Sequence, residues 1–103
     1  MTVKIIVERI VDADNQAELA ELLKELRVSA IRRPGYISGE TLFSMDLPGA
    51  HVVISTWRSL SDWKAWEKSR ERTEILERIR PLLTAPERVS VYGVMPRALA
   101  EGV

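Results

Sequence analysis

The sequence has no cysteine and a single histidine, His51, among its 103 residues. The lack of cysteine excludes disulfides, thiolate nucleophiles and cysteine-ligated metals, and no His-rich or paired-carboxylate spacing indicates another metal site. Basic and acidic residues are balanced at 15 each, so no net charge would attract nucleic acid or an anionic membrane. No apolar run is long enough to span a bilayer, and no signal-peptide pattern is found. We therefore expect a cytoplasmic protein without a nucleic-acid or membrane partner.

The residues that are present indicate one globular domain. Hydrophobic residues make up 46% of the chain and charged residues 29%, a balance typical of a single packed core. We expect this domain to span residues 1–96, followed by a short C-terminal tail at 97–103. Runs rich in β-branched residues predict four strands, at 2–11, 36–44, 51–58 and 87–95.

Two helical patterns separate the strands. The first begins after the opening strand, where Asp12 or Asp14 offers an N-cap. The second begins at Ser59, its predicted N-cap, and restarts at Ser69 before Pro81 ends it. The order β-α-β-β-α-β predicts an α+β protein of the ferredoxin-like kind, with a four-stranded antiparallel sheet and helices on one face. Because apolar residues occupy both faces of several strands, we expect a second copy to cover the other face and form a homodimer.

All three tryptophans lie within ten residues, at the end of the third strand and on the helix that follows. Trp57 either lines an aromatic pocket or fills the core beneath the helices, and we favour the core because a buried indole contributes a large apolar area. Trp63 and Trp66 are three residues apart on a helix, so their directions differ by less than a right angle. We expect one to pack on the sheet and the other to border a pocket or the dimer rim.

Several polar or small residues invite a functional interpretation beside a structural one. Histidine is a residue type suited to general-base catalysis, but the place of His51 at the mouth of a hairpin favours a solvated loop histidine. Arg9 lies on an apolar strand face and predicts an interfacial salt bridge. Gly39 predicts a bulge or the close approach of another backbone. A mixed charge run predicts a solvated helix face with i,i+4 pairs, comprising Lys64, Glu67, Lys68, Arg70, Glu71, Arg72 and Glu74.

Three segments in order resemble antibiotic biosynthesis monooxygenase (ABM) domains. Residues 33–42, RPGYISGETL, resemble the PGY-x-GGE-x-L segment of that family, and residues 53–59, VISTWRS, resemble its strand ending in W-x-S. Residues 80–83, RPLL, are similar to the segment before its final strand. The resemblance implies a dimeric α+β barrel with a pocket in each subunit between sheet and helices. Its members include cofactor-independent oxygenases of quinol- or anthrone-like aromatics, haem-degrading enzymes and proteins of no known activity.

The haem-degrading branch carries a histidine on the helix after the tryptophan motif and an asparagine on the first strand, and this chain has neither. We therefore expect no cofactor and a cofactor-independent monooxygenase acting on a small aromatic. Its predicted pocket wall is Trp57, Trp66 and Tyr36, with Ser55 or His51 as polar contacts and no catalytic residue assigned. The alternative is a non-catalytic dimer that binds a small apolar ligand or a protein partner, favoured by the few titratable groups near the expected pocket.

Overall fold

A computed structural model describes residues 1–97 of the chain, so the tail predicted at 97–103 lies, apart from Arg97, outside the described residues. The elements are β1 (Val3–Ile10), α1 (Gln16–Ile31), β2 (Tyr36–Phe43), β3 (Ala50–Trp57), α2 (Leu60–Glu67), α3 (Arg70–Ile79) and β4 (Arg88–Gly93), with short 3-10 turns at Ala13–Asn15 and Arg80–Leu82. None of the described helices combines the length and the apolar character needed to cross a membrane.

The four strands form one antiparallel sheet in the order β2-β3-β1-β4. Helix α1 connects β1 to β2, helices α2 and α3 connect β3 to β4, and a hairpin joins β2 to β3. Together with the strand order, these connections give the ferredoxin-like topology predicted from the sequence. The central strand β1 alternates strictly. Val3, Ile5 and Val7 are buried against the helices, while the residues between them point to the other side.

The two helices after β3 begin at serine caps, of which Ser59 was predicted as a cap and Ser69 as the point where the helical pattern restarts. The Oγ atom of Ser59 accepts the backbone N–H of Asp62 at 3.1 Å, and that of Ser69 accepts the N–H of Arg72 at 3.2 Å. Each serine thus satisfies one of the amides that a helix start leaves unpaired. Only Lys68 and Ser69 separate α2 from α3, and their N–H groups still bond back to carbonyls of α2.

The predicted aspartate cap of the first helix is wrong. The chain first makes a 3-10 turn, in which the N–H of Asn15 bonds to the carbonyl of Asp12 at 3.0 Å. No side chain caps that turn or the start of α1. At this helix start, the backbone carbonyl of Asp12 accepts an amide, in place of the side chain of Asp12 or Asp14 that was expected to do so.

A glycine turn joins α1 to β2 directly beneath the start of α2. Gly35 has a φ of +85°, which a residue with a side chain rarely adopts. Its carbonyl accepts the N–H of Arg58 at 2.7 Å, and a Cβ atom at this position would overlap the side chain of Asp62. The turn therefore fixes the beginning of β2 to the beginning of α2, the helix that carries Trp63 and Trp66.

The core has two parts. We call the first the aromatic half, and it contains Val3, Ile5, Val7, Ala30, Trp57, Trp63 and Trp66. We call the second the aliphatic half, and it contains Val11, Leu19, Leu22, Leu23, Leu76 and Ile79. Along β1 the buried side chains pass from one half to the other, and Arg9 lies between them.

The sheet face without helices, which we call the open face, also carries apolar side chains. Strand pairing places Ile6 opposite Ile54 and Leu42 opposite Val52 on this face. The open face therefore has a partly exposed apolar stripe across three strands, formed by Ile6, Ile10, Leu42, Val52 and Ile54.

Candidate functional site

A cavity of about 60 Å³ lies between the sheet and the helices in the aromatic half of the core. Strand β3 contributes Val53, Ser55 and Trp57, which share one face because side chains alternate along a strand. Tyr36, Trp63 and Trp66 complete an aromatic wall, Arg9 and Arg72 line it with charge, and the exposed side chain of Arg27 stands at its rim. Glu40 also borders the cavity, but its pairing with Ile54 places its side chain on the other face of the sheet.

Trp57 is fully buried at the centre of the aromatic wall. The rings of Tyr36 and Trp63 meet it edge-on at centroid distances of 5.4 and 5.9 Å, and the ring of Trp66 stacks on it at 6.5 Å. These are favourable geometries for aromatic pairs. Trp57 therefore fills the core and lines the cavity at the same time. Trp63 and Trp66 are both buried against it and both line the cavity, so the expected division, with one on the sheet and the other at a pocket or the dimer rim, is not observed.

Ser55 contributes a hydroxyl to the cavity wall. Its Oγ atom accepts the indole N–H of Trp57 at 3.0 Å, which orients both side chains. Within residues 1–97 no acceptor receives the Ser55 O–H itself, so the hydroxyl has a donor for a guest.

Tyr36 reaches the cavity because Gly39 leaves room for it. The β2–β3 register shifts between Tyr36 and Ser38, so the irregularity predicted near Gly39 lies two residues earlier. A Cβ atom on Gly39 would lie 2.6 Å from the Tyr36 hydroxyl, whereas the nearest backbone atom would be 3.5 Å away. The close approach at Gly39 is therefore made by a side chain, not by another backbone as predicted.

His51, the remaining predicted contact, lies outside this cavity. Its Nδ1 atom is 3.0 Å from the carbonyl of Gly49, and because a carbonyl only accepts, Nδ1 carries the proton. His51 borders a separate surface hollow beside Lys24 and Thr41. The structure thus groups Trp57, Trp66, Tyr36 and Ser55 around one cavity and leaves His51 at the hairpin.

Arg72 is the residue that the sequence interpretation missed. The predicted solvated face does carry an exposed i,i+4 pair, with Arg70 Nε 3.0 Å from Glu74 Oε1. Arg72, however, is only 6% exposed, its guanidinium lies 5.2 Å from the ring centroid of Trp63, and Nη1 donates to the carbonyl of Glu67 at 3.4 Å. Burial lowers the pKa of Arg72, against the attraction of nearby carboxylates.

Arg9 is buried beside it and has an ionic partner. Its Nε atom donates to Glu87 Oε2 at 2.8 Å, and both side chains are largely removed from solvent. Burial lowers the pKa of Arg9, while Glu87 acts to raise it. The carboxylate partner expected for Arg9 is present, but the pair forms within the chain on the helix-covered face. The prediction of an interfacial salt bridge is therefore wrong.

The family model described as antibiotic biosynthesis monooxygenase matches residues 2–78. This chain belongs to that family. Protein SchA from Streptomyces halstedii is 35% identical over 69 residues, which cover 65% of this chain and 17% of that protein. The match therefore spans a small part of SchA, and the rest of SchA lies outside the matched segment.

Solved structures of the family share the fold. A putative antibiotic biosynthesis monooxygenase from Nitrosomonas europaea superposes with a TM-score of 0.85 at 20% identity, covering 93% of this chain and 92% of the other. SnoaB, a cofactor-independent oxygenase from Streptomyces nogalater, superposes with a TM-score of 0.82 at 16% identity, covering 92% and 94%. At these identities the likeness shows the ferredoxin-like α+β fold and not the reaction.

The residues that line the cavity determine the chemistry that it can support. The lining offers aromatic faces, the hydroxyls of Tyr36, Thr41 and Ser55, and guanidinium N–H groups, whereas the side chain of Glu40, its one acidic residue, is on the other face of the sheet. Among residues 1–97 no group of three or more His, Cys, Asp or Glu is placed to hold a metal ion. Such a lining suits a planar molecule and has few groups that transfer protons at neutral pH.

Proposed function

We propose that this chain is a cofactor-independent monooxygenase that acts on a small quinol- or anthrone-like aromatic. The observation that supports the proposal most is the cavity walled by Trp57, Trp66 and Tyr36, with the Ser55 hydroxyl directed by the indole of Trp57. Aromatic walls bind planar guests through stacked and edge-on contacts. SnoaB, which has the same fold, is described as a cofactor-independent oxygenase.

The proposed reaction places the electron source in the substrate. An anthrone-like substrate loses a proton from its ring carbon, and the resulting carbanion passes electrons to O₂ as a carbon–oxygen bond forms. Loss of the second proton from that carbon, with cleavage of the O–O bond, leaves a ketone and releases the other oxygen atom as water. The protein contributes a water-poor cavity and hydrogen bonds that hold the anion in place.

The size of the cavity sets a condition on this reaction. An apolar cavity of about 150 Å³ takes up benzene, whereas the cavity beside Trp57 measures about 60 Å³. A ring-sized guest therefore requires lining side chains to move outward. Arg27 is exposed at the rim and forms no ion pair within the described residues, so its movement breaks no recorded contact between charges.

Oxygen uptake with a panel of quinols and anthrones tests the proposal. We expect turnover by the natural protein and a fall of about a hundredfold in kcat/KM for Trp66→Ala, because a misplaced substrate loses its reactive geometry. Leu19→Ala is the matched control, since it removes a buried side chain from the aliphatic half and leaves the cavity wall intact. If no substrate is oxidised faster by the natural protein than by Trp57→Ala and Trp66→Ala, the enzyme proposal fails.

The alternative proposal is a protein of the same fold that binds a small apolar ligand without transforming it. The lining favours this alternative in one respect, because its one acidic residue, Glu40, has its carboxylate on the other face of the sheet. Binding of an aromatic probe with no oxygen uptake across the panel would decide for this alternative.

We also propose that the chain forms a homodimer through the open face of its sheet. The apolar stripe there leaves Ile10 40% and Leu42 44% exposed in the single chain, and a second copy would bury both. We expect sedimentation to show a dimer at micromolar concentration and Ile54→Lys to dissociate it. Val28→Lys places the same charge on an exposed apolar position of α1 and should leave the dimer intact. A natural protein that sediments as a monomer contradicts the proposal.

A further inference from the structure

The charges buried at one end of the cavity are not balanced. Arg9 and Arg72 are 3% and 6% exposed, and Glu87 is the carboxylate that Arg9 contacts. Within residues 1–97 no carboxylate forms a salt bridge with Arg72. The cluster therefore holds two buried cations and one anion.

Arg72 also has hydrogen-bonding capacity to spare. A guanidinium carries five N–H donors, and in the described residues only Nη1 of Arg72 finds an acceptor, the Glu67 carbonyl at 3.4 Å. The face of the group lies against Trp63, so the unused donors are at its edge. A buried cation with unused donors is costly unless an anion satisfies them.

Nearby charges offset the burial of Arg72 only in part. Burial is the largest influence on the pKa of Arg72 and lowers it, Glu87 and Glu67 attract the charge, and Arg9 and the exposed Arg80 repel it. Arg72 lines the same cavity as Trp57 and Trp66. The positive charge therefore stands at one end of the aromatic wall, where a substituent of a stacked ring would meet it.

We propose that Arg72 binds an anionic oxygen of the guest, so that the cavity selects ring compounds with a carboxylate, phenolate or enolate over neutral rings of the same shape. Guanidinium and an anionic oxygen form short, strong, charge-assisted hydrogen bonds, often in pairs. Arg72 is thus a specificity-determining residue. The inference rests on the proposed function in that it places an aromatic guest in this cavity, and it adds the charge of that guest.

A matched pair of probes tests the inference by binding alone. Benzoate and benzamide have nearly the same shape and differ in charge. All three tryptophans line the cavity, so their fluorescence reports its occupation. We expect the natural protein to bind benzoate about tenfold more tightly than benzamide, the effect of one charge-assisted contact. Arg72→Met keeps an unbranched stem against Trp63 and should abolish this preference, whereas Arg72→Lys should keep part of it.

Arg70→Met is the control variant, because Arg70 belongs to the same helix but its side chain is 88% exposed. It should leave the benzoate preference unchanged. Equal affinities of the natural protein for the two probes, no binding of either, or a preference that survives Arg72→Met would each overturn the inference. If Arg72→Met does not fold, the comparison of the two probes on the natural protein and on Arg72→Lys still decides.

The result is separable from the proposed monooxygenase activity. A protein that prefers benzoate through Arg72 yet consumes no oxygen with any quinol or anthrone supports the inference and refutes the proposed activity. A protein that consumes oxygen but binds benzoate and benzamide equally supports the proposed activity and refutes the inference about Arg72.

Discussion

The two halves of the core are built from similar elements but are packed differently. In the aliphatic half, Leu19, Leu76 and Ile79 are at most 2% exposed, and α1 and α3 close over them. The aromatic half is equally removed from solvent at Trp57, yet it encloses a cavity and has a buried guanidinium at its edge. Close packing stabilises the first half, whereas the second leaves van der Waals contacts unmade. The difference teaches that close packing and the cavity of the proposed binding site occupy neighbouring parts of one small core.

The border between the two halves of the core lies along β1 and the residue that follows it. Val7 belongs to the aromatic half and Val11 to the aliphatic half, and Arg9, midway between them, pairs with Glu87. Substitutions on either side of this border, and at the border itself, therefore separate the contributions of the two halves.

The largest loss of stability is expected from Leu76→Ala in the aliphatic half. Removal of a fully buried leucine side chain costs about 2–5 kcal/mol, because transfer energy is lost and a cavity is left. Urea unfolding should show this decrease in the free energy of unfolding, while the folded variant keeps the natural affinity for benzoate. Leu60→Ala, at a residue 42% exposed, is the control and should change little. A variant of Leu76 that loses binding at undiminished stability would contradict the division of the core.

Glu87→Gln at the border should have the next largest effect. It leaves Arg9 and Arg72 buried without a carboxylate between them, and loss of one partner of a buried ion pair costs roughly 3 kcal/mol. Urea unfolding measures the decrease, and Glu74→Gln on the exposed Arg70 pair serves as the control. Adding Arg9→Met should restore most of the stability, since it removes the uncompensated charge. Failure of that double variant to recover would show that the cost is not electrostatic.

Gly39→Ala in the wall of the aromatic half should have the smallest effect on stability, within about 1 kcal/mol, because only the far end of a side chain must move. The added methyl group displaces the Tyr36 hydroxyl from above Gly39 and so changes the cavity wall. We expect weaker binding of benzoate and benzamide alike, measured by tryptophan fluorescence. Ser38→Ala, one residue away on β2, should bind both as the natural protein does. Unchanged binding by Gly39→Ala would show that Tyr36 is not part of the binding wall.

Sequence reasoning succeeded where the signal was local. Alternation along β1, the serines at 59 and 69, and the order of the elements were sufficient for the topology and for the break between α2 and α3. Local signals also brought Ser55 and Trp57 to one face, because they are two residues apart on a strand.

The charged part of the site was missed for two physical reasons. The partner of Arg9 is 78 residues away in sequence, and no spacing rule connects them. Arg72 was taken as part of a solvated charge run, although it lies one turn before Leu76 and two before Ile79 on the buried stripe of α3. That i, i+4, i+7 spacing was a usable signal. The charge pattern concealed this signal, because an arginine on an apolar helix face is usually assumed to extend its guanidinium into solvent.

The break at Lys68 and Ser69 has a consequence for how members of the family diverge. Trp63 and Trp66 lie on α2, whereas Arg72 lies on α3, and each helix starts from its own serine cap. The ring contacts of the cavity that come from helices therefore lie on α2, and the charge contact proposed for Arg72 lies on α3. We expect changes confined to α3 to alter the proposed preference for anionic guests and to leave the ring contacts of α2 in place.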